Sequence, residues 1–151
     1  MTSSGKPLEH LEPVLGRWHT SGTVFDDRGD VEARITGTDT YRLLPGGFWI
    51  AHDVDVNVGE QQTVAYELIG GEHADGGWMM YAFDSAPRPG VMRLSLHDPD
   101  ILLLDGHGVR SWFHFRAGRE HMTTRWERHR DGQWKTWMDM RFDRLHQNGG
   151  L

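Results

Sequence analysis

The stretch VRSWFHFRAGREHMTTRWERHRDGQWKTWMDMRFDRL, Val109 to Leu145, alternates apolar with charged residues around two turn signals. With Gly118-Arg119 as a two-residue turn, Phe115 faces Met122 and Phe113 faces Thr124, while Trp112 faces Arg125 and Arg110 faces Glu127. With Arg130-Asp131-Gly132 as a three-residue turn, Met122 faces Met140, Thr124 faces Met138, and Glu127 faces Lys135. Both turns yield the same sidedness. One face is aromatic and Met-rich and the other carries paired charges, which is the pattern of antiparallel strands with one side on a core.

The same reading extends towards the N-terminus. Strands are predicted at 17–25, 31–43, 48–58, 61–69, 78–83, 91–97, 101–105, 109–116, 121–129 and 134–145, with Gly, Pro and Asp between them. Taking Asp26 to Gly29 as a four-residue loop sets Val24 opposite Val31 and Gly22 opposite Ala33. Ahead of these lies one short helical stretch, Pro7 to Leu15, with Leu8, Leu11 and Leu15 at helical spacing, Pro13 limiting its length and Gly16 ending it. Ten short strands after one helix predict an all-β fold: a single antiparallel up-and-down barrel with the helix capping one mouth. The chain of 151 residues reads as one domain, with 1–6 and 147–151 as flexible ends.

Composition narrows the partners. The net charge is -6 and the 16 basic residues alternate with acids, which argues against nucleic acid or an anionic membrane as partner. No apolar run reaches the ~20 residues of a membrane span, and the start lacks the apolar core of a signal peptide, so the cytoplasm is the expected compartment. There is no cysteine, which removes disulfides, thiolate nucleophiles and Cys-type zinc sites. Chemistry therefore falls to His, Asp, Glu, Tyr or Arg.

In a small barrel the inward side chains decide function. Alternation points Trp18, Val24, Ile35, Tyr41, Phe48, Ile50, His52, Val54, Tyr66, Met92, Leu94 and Leu96 inward, with Phe113, Phe115, Met122, Thr124, Trp126, Met138, Met140 and Phe142. Of these, Tyr41, Phe48, Ile50, Tyr66, Met92, Phe113, Phe115, Met122, Thr124, Trp126, Met138 and Met140 form the expected ligand-binding wall. Met adapts to irregular shapes, so this wall suits a small apolar or aromatic guest; plain core packing is the competing reading.

Gly16-Arg17-Trp18, just after a short helix, resembles the Gly-x-Trp entry of calycins, the superfamily of lipocalins and fatty-acid-binding proteins. Tyr41 to Ile50 with His52 and Asp53, and the spacing Trp126-x7-Trp134-x4-Asp139, resemble the lipocalin-like family named domain of unknown function 1579. The resemblance spans nearly the whole chain and implies a barrel with a central cavity. It also implies an Arg of the last strand, Arg141 or Arg144, packed over Trp18. The related ten-stranded nitrobindin-like proteins bind haem through a His near the C-terminus, and the residue so placed here is His146, in a polar, Gly-ended tail. No cofactor is predicted from the residues themselves; haem enters only through this resemblance.

His52 is the sharpest candidate for chemistry, flanked on its face by Ile50 and Val54. Buried there, its imidazole has a lowered pKa and can serve as a base, hydrogen-bond a ligand or bind iron, unless a carboxylate beside it raises the pKa. A two-residue Gly59-Glu60 turn sets His52 opposite Glu67, an oriented acid–base pair; a three-residue loop sets it opposite Leu68, with Tyr66 facing Val54. Asp53 and Asp55 alternate on the outer face as a solvated edge. The ten histidines match no metal spacing, and phosphate-loop and Gly-x-Ser-x-Gly motifs are absent. Trp112, Arg125 and Trp137 are expected to stack outside, either as a ladder or as a homodimer interface. The functional expectation is a barrel binding a mainly apolar small molecule. The alternatives are a cofactor-independent cyclase, isomerase or hydratase using His52 and Glu67, and a haem-binding barrel.

Overall fold

The structure is a computed structural model that describes residues 5–146; most of the two ends read as flexible, 1–4 and 147–151, lies outside the described residues. A 3₁₀ helix, Glu9–Val14, precedes β1 (Gly16–Phe25), β2 (Val31–Leu43), β3 (Trp49–Val58), β4 (Gln61–Gly70) and β5 (Trp78–Phe83). β6 (Gly90–Asp98), β7 (Ile101–Gly106), β8 (Val109–Arg116), β9 (His121–Arg130) and β10 (Gln133–Leu145) follow. Each strand pairs antiparallel with its sequence neighbours, and β1 closes on β10 to complete a ten-stranded barrel. Closure leaves no free edge strand, and the architecture is compatible with the calycin resemblance.

Registers follow from turn chemistry, and two differ from expectation. The β8–β9 hairpin has the predicted pairs, Phe115 with Met122 and Phe113 with Thr124, although its loop spans 117–120. The β9–β10 turn has two residues, Asp131 and Gly132, with φ of 53° and 74°, as a type I′ turn demands. Arg130 therefore pairs with Gln133, and a bulge between Thr136 and Met138 sets Met138 opposite Trp126, Met140 opposite Thr124 and Glu127 opposite Thr136. The bulged residue is Trp137. Instead of standing outside beside Trp112, it packs on the Val24–Ile35–Val56 cluster, with its ring 6.2 Å from that of Trp126. The expected external pair of tryptophans is thus not formed; outside, Arg110 lies 4.1 Å from the ring centre of Trp134 instead. At the first hairpin, a loop over 26–30 and a bulge at Val24/Phe25 pair Val24 with Ala33 and Gly22 with Ile35.

The interior has two unlike halves. Towards the helix it is packed solid: Leu8, Leu11 and Val14 seal the mouth over Trp18, Ile50, Met80, Leu102, Phe115 and Met122. Trp18 is fully buried and donates Nε1–H to Val14 O at 2.8 Å. Arg144, directly opposite Trp18, lies over its ring at 4.1 Å and donates to the carbonyls of Leu15 (2.5 Å) and Pro13 (2.8 Å). Arg144 shares its face with Phe142 and Met140, whereas Arg141 points out and pairs with Asp143, so Arg144 is the strap over the tryptophan. Gly16 makes this possible: its φ is 121°, and a Cβ there would stand 2.8 Å from the Arg144 guanidinium.

Nearer the other mouth, Gly37 holds β2 tight against β3. A Cβ at Gly37 would stand 2.3 Å from Asp55 O and 2.6 Å from Val56 Cα, both backbone atoms. Gly37→Ala is therefore expected to destabilise the barrel by about 2–3 kcal/mol in urea denaturation, since neither strand can yield without disturbing the ladder.

Three residues expected inside are not. Phe48 is 59% exposed because Gly46 and Gly47, both at positive φ, turn the chain before β3 begins at Trp49. Leu96 sits at the rim, 37% exposed, beside the register shift of β6. Tyr66 lies outside, where its hydroxyl accepts from Arg42 Nη2 at 3.3 Å, because the β3–β4 turn has two residues and turns Glu67 inward.

Candidate functional site

Four adjacent strands bring one polar group each, or two, to the middle of the interior. β1 contributes Thr20, β2 Asp39 and Tyr41, β3 His52 and β4 Glu67. Register makes the cluster: Tyr41 and Glu67 are the two cross-strand partners of His52, and Asp39 is one inward step from Tyr41 along β2. Nε2–H of His52 donates to Asp39 Oδ2 at 2.7 Å, and Nδ1–H donates to Glu67 Oε1 at 2.6 Å. Thr20 Oγ1 donates to Asp39 Oδ1 at 2.5 Å. The Tyr41 ring stacks on the imidazole with centroids 3.7 Å apart and planes within 10°.

Thr20, Asp39, Tyr41 and His52 are all buried, and the Glu67 side chain is 18% exposed. Burial alone lowers the pKa of His52. The charge of Glu67, the hydrogen bonds to Asp39 and Glu67 and the charge of Asp39 together outweigh it and raise the pKa from 6.5 to about 9. At neutral pH His52 is thus an imidazolium with both N–H groups given to carboxylates. Burial, and then the charges of Asp39 and Glu67, hold the Tyr41 phenol well above its ordinary value.

This cluster forms one end of a cavity of about 220 Å³ in the half of the barrel away from the helix. Most of the remaining wall is apolar: Ile35, Val54, Val56 and Ala65 on one side, and Leu104, Phe113, Trp126, Met138, Met140 and Phe142 on the other. Among the described residues no Lys or Arg lines it. Thr63 also lines it and is exposed, which marks the way out. β5 pairs with β4 only from Tyr66 to Gly70, so 61–65 of β4 lacks a β5 partner and the wall is notched there. At the same mouth Arg128 lies 4.7 Å from the ring centre of Trp137 and pairs with Asp27 of the first hairpin at 3.6 Å.

The residues read as ligand-binding divide into three groups. Tyr41, Phe113, Thr124, Trp126, Met138 and Met140 line the cavity. Ile50, Met92, Phe115 and Met122 belong to the packed half. Phe48 and Tyr66 lie outside it, as described above. Asp39 and Thr20 were missed. The signal for Asp39 was a carboxylate on an otherwise apolar face, in the series Ile35, Gly37, Asp39, Tyr41.

Thr124 holds a second polar feature. It is 3% exposed, it lines the cavity, and its Oγ1 is buried without a hydrogen-bond partner. Leaving a buried hydroxyl unsatisfied costs about 1–3 kcal/mol, so Thr124→Val is expected to raise stability by about 1 kcal/mol in the ligand-free protein, read from urea midpoints.

The site does not fit haem. Both ring nitrogens of His52 are taken by carboxylates, leaving no lone pair for iron. His146 lies at the surface, 65% exposed in its side chain, and hydrogen-bonds Glu120 instead of entering the cavity. Among the described residues no cluster of three or more His, Asp or Glu is arranged to hold a metal ion. Compared with known protein families and with curated proteins, the chain matches no family model and no curated protein.

Proposed function

We propose that this barrel binds a small, mainly apolar molecule in the cavity between Val54 and Met138, with the Asp39–His52–Glu67 cluster as its polar end. The observation that carries the reading is the cavity itself: about 220 Å³, apolar on most of its wall, with convergent polar groups at one end and a notch beside β4 for entry. Its volume sets the scale of the guest. An apolar cavity of ~150 Å³ holds benzene, and drug-sized ligands take ~300–1,000 Å³, so the guest has one or two rings.

The enzyme alternative changes character under this geometry. As an imidazolium donating from both nitrogens, His52 has no lone pair with which to take a proton, so it positions the two carboxylates. Glu67 accepts from His52 through Oε1, and no hydrogen bond among the described residues engages its Oε2. Any acid–base step in the cavity would therefore fall to Glu67, with His52 holding it.

Binding is tested with indole, followed by NMR titration. Sub-millimolar, saturable binding is expected, and Ala65→Phe, which fills the cavity from the half-buried side of β4, should weaken it at least tenfold while the circular dichroism spectrum is retained. Equal indole binding by both proteins, or none by the parent, would overturn the reading.

A further inference from the structure

The charge of the polar end selects among small apolar ligands. Two carboxylates, Asp39 and Glu67, face one imidazole, so the cluster is negative by one charge with His52 protonated and by two without. Among the described residues, no cationic side chain other than His52 lines the cavity to balance it. Both oxygens of Asp39 are engaged, by Thr20 and His52, whereas Glu67 presents an oxygen that no hydrogen bond engages among the described residues. Unbalanced negative charge in a low-dielectric site is costly and favours a cation or strong donor at that oxygen.

A second observation stands on the far wall. In the strand order around the barrel, β9 is five strands from β4, so Thr124 stands across the cavity from the strand that carries Glu67. Its buried, unpartnered hydroxyl is a hydrogen-bonding group with nothing of the protein to bond. Tyr41 beside the cluster, and Phe113 and Trp126 beside Thr124, present aromatic surface suited both to an apolar ring and to a nearby cation.

We infer that the ligand is a compact aromatic amine, its protonated nitrogen on the free oxygen of Glu67 and its ring between Phe113, Trp126 and Met138. This rests on the binding reading above and narrows it to a ligand class. An ammonium there makes a charge-assisted hydrogen bond and cancels the excess charge of the cluster, whereas a carboxylate would add to it.

The test compares 2-phenylethylamine, 2-phenylethanol and phenylacetate, of closely similar size and differing in charge, by calorimetry at pH 7, with indole as the neutral reference. The amine is expected to bind at least tenfold more tightly than the alcohol, and phenylacetate most weakly. Glu67→Gln should cost the amine tenfold or more while changing the alcohol less than threefold. Phenylacetate or the alcohol binding as tightly as the amine would overturn the inference, as would an equal loss for all ligands in Glu67→Gln. Should that variant fail to fold, the charge order on the unmodified protein decides by itself. Indole binding without an amine preference sinks only this inference; absence of indole binding sinks the binding reading as well.

Discussion

Replacing His52 by leucine is expected to destabilise the barrel by about 3–5 kcal/mol, measured by urea denaturation at pH 7. The side chain is buried, and among the described residues it is the only cation held between Asp39 and Glu67, at 2.7 and 2.6 Å. Removing it leaves two carboxylates facing one another across an apolar cavity, the situation in which breaking a buried pair is most costly. Replacing Asp39, His52 and Glu67 together by leucine is a different experiment, because no charge remains to be desolvated. That triple variant should recover at least half of the loss and lose amine binding, which would separate the cluster's role in stability from its role in the cavity. A cost below about 1 kcal/mol for the single change would mean that the carboxylates are already solvated or protonated.

The second large effect is on pH. His52 titrates near 6.5 in an unfolded chain and at about 9 in the barrel, so folding binds its proton more tightly. A raised pKa in the folded state gives stability that is full below pH 6.5 and is lost as the pH climbs through about 9. The difference corresponds to roughly 3 kcal/mol between those limits. The groups facing the imidazole are Asp39 and Tyr41 of β2, Glu67 of β4 and, through Asp39, Thr20 of β1. His114, on the outer face, shifts the other way, lowered by its partial burial and then by the charge of Arg116. Subtracting the pH profile of His52→Leu from that of the parent removes His114 and isolates the cluster. A parent whose urea midpoint is level from pH 6 to 9.5 would contradict the assignment.

How far the sequence reveals these features depends on how local their causes are. Strand positions were legible because Gly, Pro and Asp punctuate them: β2, β5 and β8 begin and end where the turn signals predict. The opposition of His52 and Glu67 was legible only as one of two registers, since the choice hangs on one residue in the Gly59-Glu60 turn. The inward turn of Trp137 was not legible, because a bulge is set by how β10 meets both β9 and β1 in a closed sheet, and no dipeptide announces it. Phe48 misled through hydrophobicity, although Gly46-Gly47 beside it was the stronger signal. Asp39 was overlooked for a related reason. Alternation sorts residues by face and treats a lone carboxylate among Ile35 and Tyr41 as noise, when a charge on a buried face is the feature that most needs a partner.

The methionines report on the proposed division of the barrel into a ligand cavity in one half and solid packing in the other. Met138 and Met140 line the cavity, whereas Met122 is fully buried in the packed half. With methyl-labelled methionine, NMR titration with indole should shift the Met138 and Met140 methyl signals in a saturable way and leave that of Met122 in place. Signals that do not move, or a Met122 methyl that moves as far as the other two, would contradict it.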